Sequence, residues 1–314
     1  MAPGIEGLLD YRKSQLVYYS PYVFAKEVSL EEQYEEVLVP RIAQYGAEEN
    51  KFKREVSIQG EDFVFLYEFL PWDSHYFSRT SYRLFTVLYR LENAPALIEA
   101  IQAFRQEVLG AGNCYCTAEI PAEDIFLIQC LNVAGFKMVE TRLHYYKTDL
   151  QDFTGERFAV RPATSADIPV LSSVAATCRN NFDRLHADYA FSGQEADKYL
   201  ATYAASAVNG YCDQVLVPDQ KGLPVSSFIA INLTPAVFTK ETLTFAKIGL
   251  AAVGEENRGW LVKLLSEAIW FAKENQVAYL IYPTQATNKA AIRTCEKLNF
   301  RFGQAYHLLA FSSH

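Results

Sequence analysis

The chain has 314 residues, enough for two domains or one large one, and half of its residues are hydrophobic, which excludes an intrinsically disordered protein. Its formal net charge of -8 argues against a general nucleic-acid-binding protein, since such proteins usually present a basic face. No apolar run reaches membrane-spanning length, and the first residues hold no apolar segment of signal-peptide length. We therefore expect a cytoplasmic protein that binds neither nucleic acid nor membranes.

Six cysteines are scattered along the chain, without a CxxC pair or a His/Cys spacing typical of zinc sites. Cys114 and Cys116 would point to one side of a predicted strand. They can be interpreted as a metal-binding pair or as small core residues of a protein in a reducing compartment. The second interpretation needs no ligand, and we predict no metal site.

The first 60 residues are predicted to be mostly helical and polar. Ser29 and Glu32 form a capping box ahead of an apolar helical face. After residue 60, β-prone and helical segments alternate, with an interruption at 70–74. The predicted strands cover 61–67, 83–90, 114–120 and 136–147, and the predicted helices cover 97–108 and 121–135.

The second half of the chain repeats this alternation. Its clearest part is an apolar strand, a polar turn and a helix whose apolar residues recur at helical spacing from Leu261. Asn288 is placed to cap a later helix. This order predicts an α/β layer with a ligand site at strand ends and a helix N-terminus. The predicted elements are strands at 158–163, 215–218, 225–233, 243–253 and 276–283, a polar loop at 182–188, a turn at 255–259, and helices that begin near 168, 196, 261 and 288.

Two segments of the chain have the same order of elements. Residues 118–146 and 283–311 each contain a strand end, a capped helix, a short turn before a phenylalanine, and a terminal strand rich in aromatic residues. This agreement indicates an internal duplication with a boundary near 151–155. The alternative is that strand–helix–strand units recur in any α/β protein. We predict a helical extension at 1–60, a degenerate first copy at 61–150 and a second copy at 156–314.

Four parts of the second copy resemble the GNAT superfamily of N-acetyltransferases. They are Arg161-Pro162 with Asp167, the strand 248–253, Arg258-Gly259, and Asn288 followed by Leu298-Asn299-Phe300. The resemblance implies an α/β (α+β) fold with mixed sheets flanked by helices, built as a tandem of two GNAT-like copies of which the first is degenerate. The first 60 residues lie outside it.

Within that superfamily, the chain is most similar to the dTDP-fucosamine (dTDP-4-amino-4,6-dideoxygalactose) acetyltransferase family. The similarity rests on Trp72-Asp73-Ser74 before Tyr76-Phe77, and on the segments 183–188, 213–217 and 284–288. It implies an acetyl-CoA-dependent N-acyltransferase that acts on the amine of a nucleotide-linked aminosugar, and it leaves a homodimer possible. The substrate-binding residues that it implies are Trp72, Asp73, Asp183, Arg184 and His186.

The resemblance also places an acetyl-CoA site on the strand and the polar turn. Relatives usually have two small residues in the phosphate turn, where this chain has Leu261 and Lys263. Lys263 could compensate by pairing with a phosphate, whereas Trp260 and Leu261 could instead fill the pocket. The implied cofactor-binding residues are Leu250, Ala251, Val253, Arg258, Gly259, Trp260, Leu261, Val262, Lys263 and Asn288.

The expected acid and base are less clear. Relatives commonly have a tyrosine five residues before the phenylalanine of the final turn, and this chain has Cys295 there, which is either an acid for the departing thiolate or a small core residue. His186 either deprotonates the amine or belongs to a solvated loop. Glu241 could act as a base through water. Asn299 replaces a glycine, which asparagine can do in a left-handed conformation.

These observations leave three functional hypotheses open. The first is an active acyltransferase for a nucleotide-linked aminosugar. The second is a GNAT-fold protein that has lost CoA binding and acts as a binding or partner subunit, in which case Trp260 and Leu261 should occupy the phosphate position. The third is an acyltransferase for a protein or for another small amine.

Overall fold

The computed structural model describes residues 5–110 and 112–313, and the chain forms two compact units. Unit 1 comprises Met1–Thr141 with Gln304–His314, and unit 2 comprises Arg142–Gly303. The limits of these units differ from the domain boundaries predicted at 60 and near 151–155. Those boundaries rest on the similarity of the two halves in sequence and stay a prediction.

Unit 1 is built from helices and strands that alternate after an N-terminal helical region. Its helices are α1 (Ile5–Leu16), α2 (Leu30–Gln33), α3 (Val39–Ala43), α4 (Pro71–Phe77), α5 (Ala94–Phe104) and α6 (Ile125–Val133). Its strands are β1 (Lys51–Ile58), β2 (Glu61–Phe69), β3 (Thr80–Leu88), β4 (Cys114–Pro121) and the first part of β5 (Lys137–Lys147).

Two details of this unit were not predicted. Strand β1 lies in the region predicted to be mostly helical, because it pairs with β2 along its whole length through a two-residue turn. Gln59 and Gly60 in that turn have φ angles of 53° and 82°, as a tight hairpin turn requires. The interruption predicted at 70–74 follows the end of β2 at Phe69, and helix α4 begins there, with Pro71 in its first turn.

Unit 2 contains the remaining elements. Its helices are α7 (Ile168–Thr177), α8 (Gly193–Ser206), α9 (Trp260–Glu274) and α10 (Lys289–Lys297). Its strands are the end of β5, β6 (Val160–Pro162), β7 (Gln214–Pro218), β8 (Ser227–Val237), β9 (Thr242–Val253), β10 (Tyr279–Gln285) and the start of β11 (Arg301–Ser312).

The two units repeat one strand pattern. In unit 1, β1, β2 and β3 are antiparallel, β3 and β4 are parallel, and β4 pairs with an antiparallel last strand, β11. In unit 2, β7, β8 and β9 are antiparallel, β9 and β10 are parallel, and β10 pairs in antiparallel orientation with β5, which precedes the other strands of this unit in the chain. The first strand of the parallel pair bulges in both units, β3 at Phe85 and β9 at Gly249. This repetition confirms the predicted tandem α/β architecture.

Helices cover both faces of the sheet in unit 2. Alternate residues of β8 point to opposite faces. Phe228 and Ala230 share a buried cluster with α7 and α8, whereas Ile229 and Ile231 share another with α9 and α10. In unit 1, a single buried cluster joins α1, α5 and α6 to the sheet. Among the described residues, no helix is long and apolar enough to cross a membrane.

Helix α7 begins at an ion pair that should make stability depend on pH. Arg161 donates to both carboxylate oxygens of Asp167 at 2.8 Å, and the Thr164 N–H and hydroxyl also donate to Asp167. These bonds, with Arg161 as the largest cause, hold the Asp167 pKa well below its usual range. The stabilisation is therefore present above the unfolded pKa of about 3.9 and is lost as the pH falls through the lower folded pKa.

We expect Asp167→Asn to reduce the free energy of unfolding at pH 7 by about 1 kcal/mol or less, because the pair is partly solvated. Urea unfolding at several pH values measures this difference, which should narrow below about pH 4, where the unfolded wild-type chain takes up a proton at Asp167 while the folded protein does not. Asp219→Asn is the control, because Asp219 is 62% exposed and lies 3.9 Å from Arg161. An equal loss in both variants would contradict the prediction.

Candidate functional site

Strands β9 and β10 part in the middle of unit 2 and leave a groove between them. They pair in parallel from Phe245 and Tyr279 to Lys247 and Ile281, after which the pairing ends although both strands continue. Gly249 bulges directly after this fork. A Cβ there would lie 2.5 Å from the Tyr203 hydroxyl, so a larger residue would have to displace that side chain.

The groove that opens at the fork has a volume of about 760 Å³. One wall is the end of β9 and the first turn of α9, the other is the end of β10 with the start of α10, and the end of α7 with its following loop completes the lining. The lining residues are Ala175, Cys178, Arg179, Asn180, Asp183, Leu200, Leu250–Glu255, Arg258, Gly259, Leu261, Val262, Tyr282, Gln285, Thr287–Ala290, Thr294 and Lys297.

The N-terminus of α9 borders this groove with free backbone N–H groups. The first N–H groups of a helix have no partner within it, and no side chain caps α9 among the described residues. Gly259 precedes the helix with a φ of 92°, a conformation that favours glycine. Such a terminus attracts anions, because the donors and the helix dipole act together.

Most of the residues predicted to bind the cofactor line the groove, and two lie elsewhere. Trp260 is 4% exposed and packs in the core between the sheet and α9. The Lys263 ammonium lies over the rings of Trp260 and Phe158, at 4.7 and 5.3 Å from their centroids. Leu261 lines one side of the groove without closing it. Asn288 both lines the groove and caps α10 by accepting the Ala291 N–H.

Cys295 is fully buried in the core beside the groove and is absent from the described lining. Burial raises the pKa of its thiol to about 12. A thiol that does not contact the groove has no direct route to a ligand there. The structure therefore gives the predicted catalytic role of Cys295 no support, and that role stays a prediction.

Tyr282 is a groove residue that the sequence reasoning missed. It is the first residue of β10 after the fork, its ring packs in the core, and it lines the groove. No hydrogen bond to its hydroxyl is present among the described residues. Burial raises its pKa, so the phenol keeps its proton at neutral pH. One feature of the sequence could have identified it: Tyr282 is a tyrosine near the end of an apolar predicted strand, directly before Pro283.

The polar loop at 182–188 is folded around His186, whose side chain is 5% exposed. The His186 Nδ1 lies 2.6 Å from Asp183 Oδ2, and its Nε2 lies 2.6 Å from Arg179 Nε and 3.1 Å from Asp197 Oδ1. Both ring nitrogens are thus engaged within the protein. His186 is placed to orient its neighbours, of which Arg179 and Asp183 line the groove.

The other predicted site residues are absent from the described groove lining. Arg184 donates to the Tyr199 hydroxyl at 3.1 Å. Glu241 directly precedes β9 and is absent from the described lining. Trp72 and Asp73 belong to α4 in unit 1, where the Trp72 ring stacks on Tyr76 at 5.1 Å. Their predicted roles in substrate binding or catalysis stay predictions.

Neither a family model nor a curated protein matches the chain, but solved structures do. A conserved protein of unknown function from Staphylococcus epidermidis is 13% identical, with a TM-score of 0.54 over 83% of this chain and 95% of that one. A GCN5-related N-acetyltransferase from Kribbella flavida is 12% identical, with a TM-score of 0.51 over 90% and 96%.

A third similar structure is a GCN5-related glucosamine N-acetyltransferase region in a fungal multi-domain GH3 β-N-acetylglucosaminidase. It is 12% identical, with a TM-score of 0.52, over 96% of this chain and 37% of that one. At these identities the likeness shows the fold alone. The chain has the GNAT fold. The forked strands, the bulge and the groove of unit 2 are therefore parts of a GNAT-type architecture.

Unit 1 has the same GNAT-type strand order, but side chains fill the corresponding position. Asp124 precedes α6 after β4, as Asn288 precedes α10 after β10. It accepts two hydrogen bonds from Arg12 of α1 at 2.5 and 2.9 Å and one from the Tyr19 hydroxyl at 2.6 Å. Phe85, the bulge residue, is buried between the rings of Tyr19 and Tyr45. These contacts occupy the position that corresponds to the start of α10 and the bulge of β9 in unit 2.

Cys114 and Cys116, weighed as a metal pair, are both buried free cysteines on β4. Burial raises the pKa of both thiols, that of Cys114 to about 11, which opposes the thiolate form that binds metals. Within 5–110 and 112–313, no group of three or more His, Cys, Asp or Glu residues is placed to hold a metal ion.

Proposed function

We propose that this protein is an acyl-CoA-dependent N-acyltransferase whose active site is the groove of unit 2. The observation that carries the proposal is the open groove that runs from the fork of β9 and β10 to the uncapped N-terminus of α9. A long, narrow ligand with a reactive group at one end and phosphates at the other fits such a groove.

The residues present suit a CoA thioester. Its diphosphate would meet the N–H groups at the start of α9, and Arg258, Lys289 and Lys297 on the groove lining add positive charge. The edge of β9 beyond the fork is free of β10 and can bind an amide-containing chain through its backbone. Leu261 narrows the phosphate end but leaves the groove open.

The chemistry requires a neutral amine that attacks the thioester carbonyl. The nitrogen forms a bond to the carbonyl carbon, the carbon–sulfur bond breaks, and the thiolate takes a proton. We assign that proton to Tyr282, which lies at the fork and lines the groove, and whose hydroxyl has no hydrogen-bond partner among the described residues. The proton lost by the amine returns to the phenolate through solvent. Tyr282 thereby takes the role that the sequence suggested for Cys295.

For the acceptor, we propose the amine of a nucleotide-linked aminosugar, with acetyl as the acyl group. The support is the similarity of four segments to the dTDP-fucosamine acetyltransferase family and the ordered polar loop at 182–188 beside the groove. A screen that measures free thiol release with aminosugar nucleotides, simple aminosugars, polyamines and peptide amines would separate this acceptor from a protein or another small amine.

The alternative function, a partner subunit without CoA binding, receives less support. It requires Trp260 and Leu261 in the phosphate position. Trp260 lies in the core, and the groove stays open beside Leu261.

Isothermal titration with acetyl-CoA tests the proposed groove. Ala290 lies exposed in the first turn of α10 and lines the groove, so Ala290→Trp should weaken acetyl-CoA binding at least about 10-fold by filling it. Arg293→Trp is the matched control, because Arg293 is exposed on the same helix and is absent from the described lining. No binding to the wild-type protein at millimolar acetyl-CoA, or equal affinity of both variants, would overturn the proposal.

A further inference from the structure

We infer that Arg179 forms a second anion site in the groove, separate from the start of α9, and that it binds a phosphate group of the acceptor. The inference rests on the proposed acyltransferase function and defines its substrate class: the acceptor amine carries phosphate. Three features of unit 2 support it, namely the state of the guanidinium, the network that holds it, and the sheet face from which it enters the groove.

Only the Nε edge of the Arg179 guanidinium has ion-pair or hydrogen-bond partners among the described residues. Its Nε lies 2.7 Å from Asp197 Oδ1 and 2.6 Å from His186 Nε2. Its two terminal amino groups have no partner among the described residues, and Arg179 lines the groove. These amino groups offer up to four N–H donors in the planar arrangement that matches phosphate oxygens.

The surrounding network fixes this arginine before any ligand arrives. His186 accepts from Arg179 through Nε2 and donates through Nδ1 to Asp183, which in turn accepts the backbone N–H groups of Leu185 and His186. Asp197 balances one positive charge but contacts only the Nε edge. A guanidinium held in this way loses little conformational entropy on binding, which favours affinity.

Arg179 enters the groove from the face of the sheet opposite the start of α9. Helices α7 and α8 pack on one face of β8, and α9 and α10 pack on the other. Arg179 follows α7, whereas the uncapped N–H groups belong to α9. One diphosphate already accounts for the α9 terminus in the proposed function. A second cationic site on the other face therefore serves the other substrate.

Thymidine diphosphate, titrated into protein saturated with acetyl-CoA, tests this site, because the cofactor then occupies the α9 terminus. We expect binding to the wild-type protein and a loss of about 10- to 100-fold in Arg179→Gln, the effect of losing charge-assisted hydrogen bonds. Arg179→Lys keeps the charge without the paired amino groups, and its affinity should fall between the two. Arg301→Gln, at an exposed arginine whose nearest carboxylate is 3.9 Å away, should change nothing.

The outcomes separate this site from the proposed function. If the loaded wild-type protein does not bind the diphosphate, or if Arg179→Gln weakens acetyl-CoA and spares the diphosphate, the inference is overturned while the acyltransferase proposal stands. If acetyl-CoA itself does not bind, that proposal fails. In that case, thymidine diphosphate is titrated into the protein without acetyl-CoA. Binding that is lost in Arg179→Gln would support the anion site, and no such binding would overturn the inference.

Discussion

Replacement of Arg12 by leucine should lower the free energy of unfolding by about 3–5 kcal/mol, because a buried carboxylate would lose its charge partner. Arg12 is 0% and Asp124 1% exposed, and two hydrogen bonds join them. Arg12 also donates to the Tyr89 hydroxyl at 2.5 Å. The loss therefore combines an unpaired charge with unsatisfied hydrogen-bonding groups in the core of unit 1.

Urea unfolding followed by circular dichroism measures this effect. Lys13→Leu is the neighbouring control: Lys13 pairs with Glu31, whose side chain is 65% exposed, so its loss should change the free energy of unfolding far less than the loss of Arg12. The double variant Arg12→Leu with Asp124→Leu should recover most of the stability, since removing both charges avoids the unpaired carboxylate. A single variant as stable as the Lys13 control would show that Asp124 does not depend on Arg12.

Tyr282→Phe should reduce kcat about 100-fold with little change in the KM for acetyl-CoA, if Tyr282 supplies the proton to the departing thiolate. The substitution removes only the hydroxyl, which has no hydrogen-bond partner in the part of the chain that the structure describes. Because burial raises the Tyr282 pKa, the acid stays protonated through the neutral range and is lost only as the pH rises through that raised pKa. The wild-type kcat should therefore show no loss of this acid near neutral pH.

Two controls accompany this measurement. Tyr279→Phe alters a second buried tyrosine of β10, outside the described groove lining, and should leave kcat within about threefold of wild type. Cys295→Ala should do the same, since its thiol lies in the core. Turnover that survives in Tyr282→Phe but disappears in Cys295→Ala would restore the assignment that the sequence suggested.

Much of the fold could be predicted because local signals agreed with the final structure. The capping box of Ser29 and Glu32 is formed, Asn288 caps α10, and Asn299 has a φ of 56°, as expected where asparagine replaces glycine. The strand before the polar turn was evident from its apolar run and became β9. These features depend on neighbouring residues, which a sequence displays directly.

The site was harder to predict because its parts are set by tertiary packing. The polar loop around His186 has no periodicity, and nothing local distinguishes a solvated loop from one whose histidine is buried between Asp183, Asp197 and Arg179. Tyr282 was overlooked because the point where β9 and β10 separate is a property of the sheet. Lys263 was predicted to bind the cofactor, and the sequence did not show that its ammonium lies over two aromatic rings.

The last strands of the two halves are exchanged along the chain. The end of β5, which precedes the second copy, pairs with β10, and the end of β11, which completes the second copy, pairs with β4. A gene divided near 151–155 would encode two fragments, each lacking the strand that completes its own sheet and leaving an open hydrogen-bonding edge. Natural selection would then preserve the first copy, because the copy with the groove cannot complete its sheet without β5.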